Sequence, residues 1–275
     1  MKHLFFPLFL LLTNSLFAQD IAPEIAKTKM KGSMYAYWGW NKSAYTTSDI
    51  HFIGNNYNFT LNNVAAKDRQ NAFNLGLFLN PGTITIPQYN FRVGYFINEK
   101  YDISIGADHM KYVMKPNQTT NISGTISKTG TLYDGTYSNS PILVKPDLLL
   151  FEHTDGLNYL NTELRRNDQI FEKGAINLRV IEGAGFGVLV PRTNATLLNN
   201  PRNDQFHLAG FGLGAMLGLN VTFYNHLFIQ GELKGGYINM PSVRTTMFKS
   251  DIAKQQFGFL QWNVVFGYKF YLCKK

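Results

Sequence analysis

From Phe211 to Phe223 the chain alternates without a break. Phe211, Leu213, Ala215, Leu217, Leu219, Val221 and Phe223 fall on one side, and Gly212, Gly214, Met216, Gly218, Asn220 and Thr222 on the other. After Tyr224-Asn225-His226 the alternation resumes, with Leu227, Ile229 and Leu233 opposed to Gln230, Glu232 and Lys234. A period of two puts one face in an apolar environment and the other in a polar one. Strands of soluble proteins are mostly about 5–6 residues long. Longer alternating strands with small and charged residues inside are what a membrane-spanning β-barrel requires. Folding this hairpin at Asn225 sets Phe223 opposite Leu227, Val221 opposite Ile229 and Leu217 opposite Leu233. The same register sets Asn220 by Gln230, Gly218 by Glu232 and Met216 by Lys234. A slip of one residue would turn every side chain to the wrong face, so the register is strongly specified.

The same reading along the chain predicts eight strands, over 33–44, 87–98, 101–114, 147–161, 175–190, 206–223, 227–240 and 256–272. They are joined by short turns at 98–100, 165–174 and 224–226. Long polar regions at 45–86, 115–146, 191–205 and 241–255 make the other connections. Strict alternation of short and long connections matches outer-membrane barrels, whose periplasmic turns are short and whose extracellular loops are long. The strand-like pieces at 57–61 and 120–126 would raise the count to ten if they paired into the barrel. The fold class is therefore all-β, an antiparallel transmembrane β-barrel of eight strands.

Strand parity decides against a soluble barrel, which fills its interior with apolar side chains. Here one face collects Asn90, Arg92, Asp102, Ser104, Asp108, Asn177, Arg179, Gln230, Glu232, Lys234, Asn263 and Lys269. Glu152 is assigned to the same face. A soluble core does not tolerate such a set, whereas a narrow lumen neutralises it by pairing. Arg92, Asp102, Arg179, Glu232 and Lys234 are expected to form an ion-pair network that plugs the lumen, since eight strands leave room for side chains and not for a wide channel.

Composition and chain ends agree. Charged residues make up 16% and aromatics 15% of the 275 residues, and the mean hydropathy is −0.15, because apolar residues are spread singly. Residues 1–18 read as a signal peptide: Lys2 and His3, an apolar run from Leu4 to Leu12, and Ala18 before Gln19. That run falls short of the ~20 residues a helical span needs. Residues 19–30 form a polar lead-in, 31–272 the barrel and 273–275 a tail. Cys273, the single cysteine, excludes an intrachain disulfide framework. The formal charge of +8 favours contact with anionic lipid headgroups. No nucleic-acid partner is expected of an exported chain.

On the last strand Trp262, Val264, Phe266, Tyr268, Phe270 and Leu272 share one face, with Gly267 before Phe270 and Leu272. This resembles the sorting signal read by the barrel assembly machinery, except that the chain continues through Cys273-Lys274-Lys275. With the signal segment and the strand rhythm, the mature chain resembles the small monomeric outer-membrane β-barrel proteins of Gram-negative bacteria, including uncharacterised barrels of Bacteroidetes-like organisms. The resemblance implies an outer-membrane location, a monomer, and lipids and lipopolysaccharide as its surroundings.

Candidate chemistry is sparse. No metal-binding motif, nucleophile elbow or phosphate loop is present, and no cofactor or metal is expected. The glycine runs at 183–187 and 210–214 lack the strand-to-helix context of a phosphate cradle and read as thinned barrel wall. One cluster stands out: Asp108 and His109 opposite Glu152, His153 and Asp155. A histidine beside a carboxylate is the pairing of a general base with its orienting partner, and these five are the candidate catalytic residues. If Asp108 and Glu152 face the lumen, His109, His153 and Asp155 face outward, unless a bulge near Gly156 re-aims them. The leading expectation is a structural or surface-interaction barrel. A lipid-modifying hydrolase or transferase is the alternative, and passage of small or hydrophobic solutes the third.

Overall fold

The computed structural model describes residues 29–271. The expected signal peptide, most of the lead-in and the tail lie outside them. Fifteen strands follow one another: β1 (Ser33–Tyr45), β2 (Ser48–Gly54), β3 (Tyr57–Val64), β4 (Ala66–Lys67), β5 (Tyr89–Phe96), β6 (Tyr101–Met114), β7 (Gln118–Ile126), β8 (Gly135–Val144), β9 (Leu149–Lys173), β10 (Ile176–Leu189), β11 (Arg192–Leu197), β12 (Asn203–Phe206), β13 (Gly210–Phe223), β14 (Leu227–Arg244) and β15 (Ile252–Tyr271). A single helical turn, α1 (Leu75–Phe78), lies between β4 and β5.

Eight of these strands close an antiparallel ring in the order β1, β5, β6, β9, β10, β13, β14, β15 and back to β1. Each ring strand overlaps one of the eight predicted segments. The β13–β14 register holds at all six predicted pairs, from Phe223 opposite Leu227 to Met216 opposite Lys234. Tyr224 and Asn225 make the reversal with left-handed φ angles of 50° and 61°. Closure is staggered. From Ser104 the pairing runs through Gly94 to Tyr35 in one direction. In the other it runs through Glu163, Gly185, Gly214, Gly236 and Phe259 to Tyr45. The circuit thus returns to β1 ten residues further on (45 − 35). An even shift keeps inward and outward positions distinct around the ring, and it tilts the strands as barrel closure demands.

Two expectations are corrected. The stretch 165–174 is not a turn: β9 continues to Lys173, and the reversal occurs at Gly174 and Ala175. The long polar regions are not irregular loops either. β2 pairs with the start of β15 and with β3, β3 with β7, and β7 with β8. The pieces near 57–61 and 120–126 do pair, Tyr57 with Ile126 and Leu61 with Ile122. They do so in an extension beyond the ring and leave the ring at eight.

This extension, hereafter the cap, stands on the long-connection end of the barrel. It has its own core, which includes Ile50, Phe52, Phe59, Leu61, Ile122, Ile126, Leu149, Phe151 and Leu197, all buried. Around the ring below it, the outward side chains Ile103, Ile105, Leu164, Leu217, Leu219, Leu233, Val264 and Phe266 are exposed. That continuous apolar belt far exceeds the patches a protein in water leaves uncovered. A smaller apolar cluster, Met30, Tyr35, Tyr37, Phe96, Phe228 and Val265, closes the short-turn end of the interior.

Candidate functional site

Between the two apolar clusters lies a polar layer. Its centre is Glu163, delivered by the part of β9 that continues past the predicted strand end. One carboxylate oxygen accepts from Arg92 at 2.9 Å and from Lys234 at 2.6 Å, and the other from Arg165 at 2.7 Å. Arg165 also reaches Glu232 at 3.0 Å. Lys234 bridges to Asp108, which accepts further from Asn90 and from Asn161. Three cations therefore balance three carboxylates, and all six residues are buried.

Hydroxyl and amide groups fill the remaining positions. The Tyr37 hydroxyl accepts from Arg92 at 3.1 Å and from Arg165 at 3.0 Å, and donates to Glu232 at 3.0 Å. Its one proton and two lone pairs are all engaged. Glu232 accepts also from Gln230 at 2.6 Å and Asn263 at 2.9 Å, and Arg92 donates to Ser104 at 3.0 Å. Nearer the short-turn end, Asp102 accepts from Tyr35 at 2.8 Å and Asn167 at 2.7 Å. Arg179 donates to Gln169 at 3.0 Å. Desolvating this many charges is costly unless each finds partners, and here each does. The arrangement fills the lumen across its width.

Of the five residues expected in the ion-pair network, Arg92, Glu232 and Lys234 join the central layer, while Asp102 and Arg179 sit below it. Sequence reasoning missed Glu163, which has the most charged partners of the layer, and Arg165, which bridges Glu163 to Glu232. The signal was present: Asn161, Glu163, Arg165 and Asn167 continue the alternation against Leu160, Thr162 and Leu164. The predicted strand ends at Asn161 and the predicted turn begins at Arg165, whereas β9 carries its lumen-facing residues through both.

The five candidate catalytic residues are scattered. Asp108 faces the lumen and is held by Lys234. His109 points the other way, stacked on Tyr89 with centroids 4.8 Å apart, its Nδ1 2.8 Å from Asn158 Oδ1. Glu152 does not face the interior, contrary to its assignment: it pairs outside with Arg69 at 2.9 Å and accepts from Asn194 at 2.8 Å. His153 faces inward instead, fully buried in the cap core between Tyr112 and Phe151, with Nδ1 2.9 Å from Thr193 Oγ1. Asp155 lies on the surface, 3.8 Å from Arg192 and 3.6 Å from Arg202. A wide bulge separates these positions, with Lys111 alone facing the stretch 154–156 between the pairs Met110–Leu157 and Tyr112–His153. Gly156 makes it possible with φ of 127°. The bulge adds an even number of residues to β9, so it bends the strand without exchanging its faces. Neither histidine touches a carboxylate, and His153 has no route to solvent or lipid. Among the described residues no group of His, Cys, Asp or Glu side chains is arranged to hold a metal ion.

No protein-family profile matches the chain, and no curated protein matches it. Solved structures with similar strand arrangements are outer-membrane proteins. The attachment invasion locus protein Ail of Yersinia pestis, in complex with the heparin analogue sucrose octasulfate, is 11% identical over 88% of this chain and 100% of its own, with a TM-score of 0.32. OprG of Pseudomonas aeruginosa is 13% identical over 90% of this chain and 100% of its own, with a TM-score of 0.37. The outer membrane protease OmpT of Escherichia coli is 9% identical over 88% and 98%, with a TM-score of 0.27. Likeness this slight says nothing about what this chain does, and the fold stands on its own strand register.

Proposed function

We propose that this protein is an integral outer-membrane β-barrel that holds a folded β-rich cap at the cell surface, and that the cap is its working part. The supporting observation is the change of interior along the ring. Inside the apolar belt the interior is a sealed polar network, and beyond the belt it is a hydrocarbon core. Only a wall that leaves lipid for water needs that change. With the short turns in the periplasm, the cap projects outward. Its exterior is strand-built and mixes polar side chains such as Asn58 and Asn121 with exposed apolar ones such as Leu132 and Leu143, which suits surface interaction. The sealed lumen argues against passage of solutes, and the separation of His109 and His153 from carboxylates argues against a lipid hydrolase.

The test has four readings. Heat-modifiable gel migration and recovery with the outer membrane are expected, together with a silent planar bilayer. Lipid A profiles, read by mass spectrometry, are expected to be the same in cells carrying wild type, His109→Ala and His153→Ala. Discrete conductance steps would replace this reading with a channel. A histidine-dependent change in lipid A would replace it with an enzyme.

A further inference from the structure

On the outer face of β10, β13 and β14 the side chains of the apolar belt shrink at one level. Ala184 pairs with Ala215, and Ala215 with Gly235, so three adjacent strands present almost no side chain there. Leu213, Tyr237 and Leu260 rise around the gap, all exposed, and enclose a groove of about 820 Å³. Its lining is hydrocarbon and aromatic apart from Thr46 at the cap side, where the Thr46 side chain lies across Gly258.

Two residues further toward the cap on β14 and β15, the chemistry changes. A second pocket of about 540 Å³ is bounded by Thr47, Asp49, Asn63, Asn239, Lys254 and Gln256 among others. The two spaces adjoin. Thr46 and Thr47 are consecutive, and the Tyr237 hydroxyl in the groove donates to Gln256 of the pocket. Amides, hydroxyls, one ammonium and one carboxylate stand close together in it. The hydroxyls of a saccharide both donate and accept and fit a mixed set of this kind. The groove lies within the surface the belt already turns to lipid, so its occupant comes from the membrane. A hydrocarbon chain in a recess gains contacts on several sides that a flat wall does not offer.

We infer that this composite groove binds one glycolipid of the outer leaflet, its acyl chain along Ala184, Ala215 and Gly235 and its saccharide headgroup in the pocket of Asn239, Lys254 and Gln256. The inference rests on the membrane placement proposed above. Native mass spectrometry tests it on detergent-purified, full-length barrel offered either lipid A, with its diglucosamine headgroup, or phosphatidylglycerol.

Wild type is expected to retain one lipid A, about tenfold better than phosphatidylglycerol. A side chain at 235 can grow outward, because its Cβ would meet nothing nearer than Leu260 Cδ1 at 3.6 Å and Phe259 O at 3.8 Å. Gly235→Leu, and independently Ala215→Leu, are therefore expected to keep the heat-modifiable fold and to lose both lipids. The double variant Asn239→Ala/Gln256→Ala is expected to bring lipid A down to the phosphatidylglycerol level. No lipid A on wild type, unchanged retention in the filled variants, or equal retention of the two lipids by wild type would each overturn the inference. A wild-type protein without heat-modifiable migration would instead overturn the membrane reading, so the two failures are distinguishable.

Discussion

The inward side chains of β9 between Leu149 and Leu157 include leucine, phenylalanine and histidine, whereas from Asn161 to Asn167 they are Asn, Glu, Arg and Asn. β6 makes the same change in the opposite direction, from Asp102, Ser104 and Asp108 to Met110, Tyr112 and Met114. One continuous wall thus encloses a salt-bridge network at one end and a conventional hydrophobic core at the other. The change falls at Lys234, whose ammonium lies 5.3 Å from the centre of the Tyr159 ring. Inside a protein surrounded by water, apolar burial drives folding and charge is a penalty. Inside a wall surrounded by lipid, there is no water outside for apolar side chains to escape, so the interior is free to be polar provided every group is paired. The surroundings of each half decide what that half places inside.

The comparison is broken most severely through Glu163. Glu163→Ala leaves Arg92, Arg165 and Lys234 facing one another with one of their three carboxylates gone, and removing one member of a buried ion pair costs about 3–5 kcal/mol. The urea midpoint of the heat-modifiable form is expected to fall accordingly, with Glu163→Gln nearly as damaging because the charge is what the three cations need. A midpoint equal to wild type would show that the network fills the lumen without stabilising it.

A smaller effect separates the outer faces. Leu217 and Thr60 both point away from the interior, but Leu217 lies in the apolar belt and Thr60 on the cap. Leu217→Lys is expected to cost about 2–4 kcal/mol, as a cation does on the lipid face near the bilayer midplane. Thr60→Lys is expected to stay within about 0.5 kcal/mol. Equal effects in a folding titration into lipid vesicles would erase the boundary between the halves.

The same boundary explains what could be read from the sequence. The ring was legible because its strands are long and their faces differ in every residue; Phe211–Phe223 alone set the hairpin register. All twelve residues first assigned inward by charge, from Asn90 to Lys269, are buried. Glu152 failed because charge marks the inner face only within the lipid belt. In the cap the rule reverses: Glu152 faces water, where it meets Arg69 and Asn194, and His153 is the buried neighbour. Of the cap strands only the pieces at 57–61 and 120–126 were legible, for a related reason. Stretches such as Gly135-Thr136-Tyr137-Ser138-Asn139 hold single apolar residues among polar ones and show no long alternation. Glu163 and Arg165 were lost to a boundary: Glu163 lies just past the predicted strand end at Asn161, and Arg165 opens the charged run that looked like a turn.

His153 gives the finest test, because it places a titratable group in the half that excludes charge. Burial pushes its imidazole down to about 3, with Gln255 opposing the shift and His207 adding to it. In the unfolded chain the group titrates near its ordinary value of about 6.5. Above that pH both states are neutral and the cap keeps its full stability. Below it the unfolded cap takes up a proton that the folded cap refuses, so stability falls by about 1.4 kcal/mol per pH unit down to the folded value. At pH 5 the loss is about 2 kcal/mol. Hydrogen exchange of cap amides, normalised to ring amides in the same sample, is therefore expected to rise about thirtyfold between pH 7 and pH 5 when exchange proceeds through cap opening. His153→Gln has no proton to take up and is expected to remove that rise. An identical pH response in the two proteins would assign the acid sensitivity to groups other than His153.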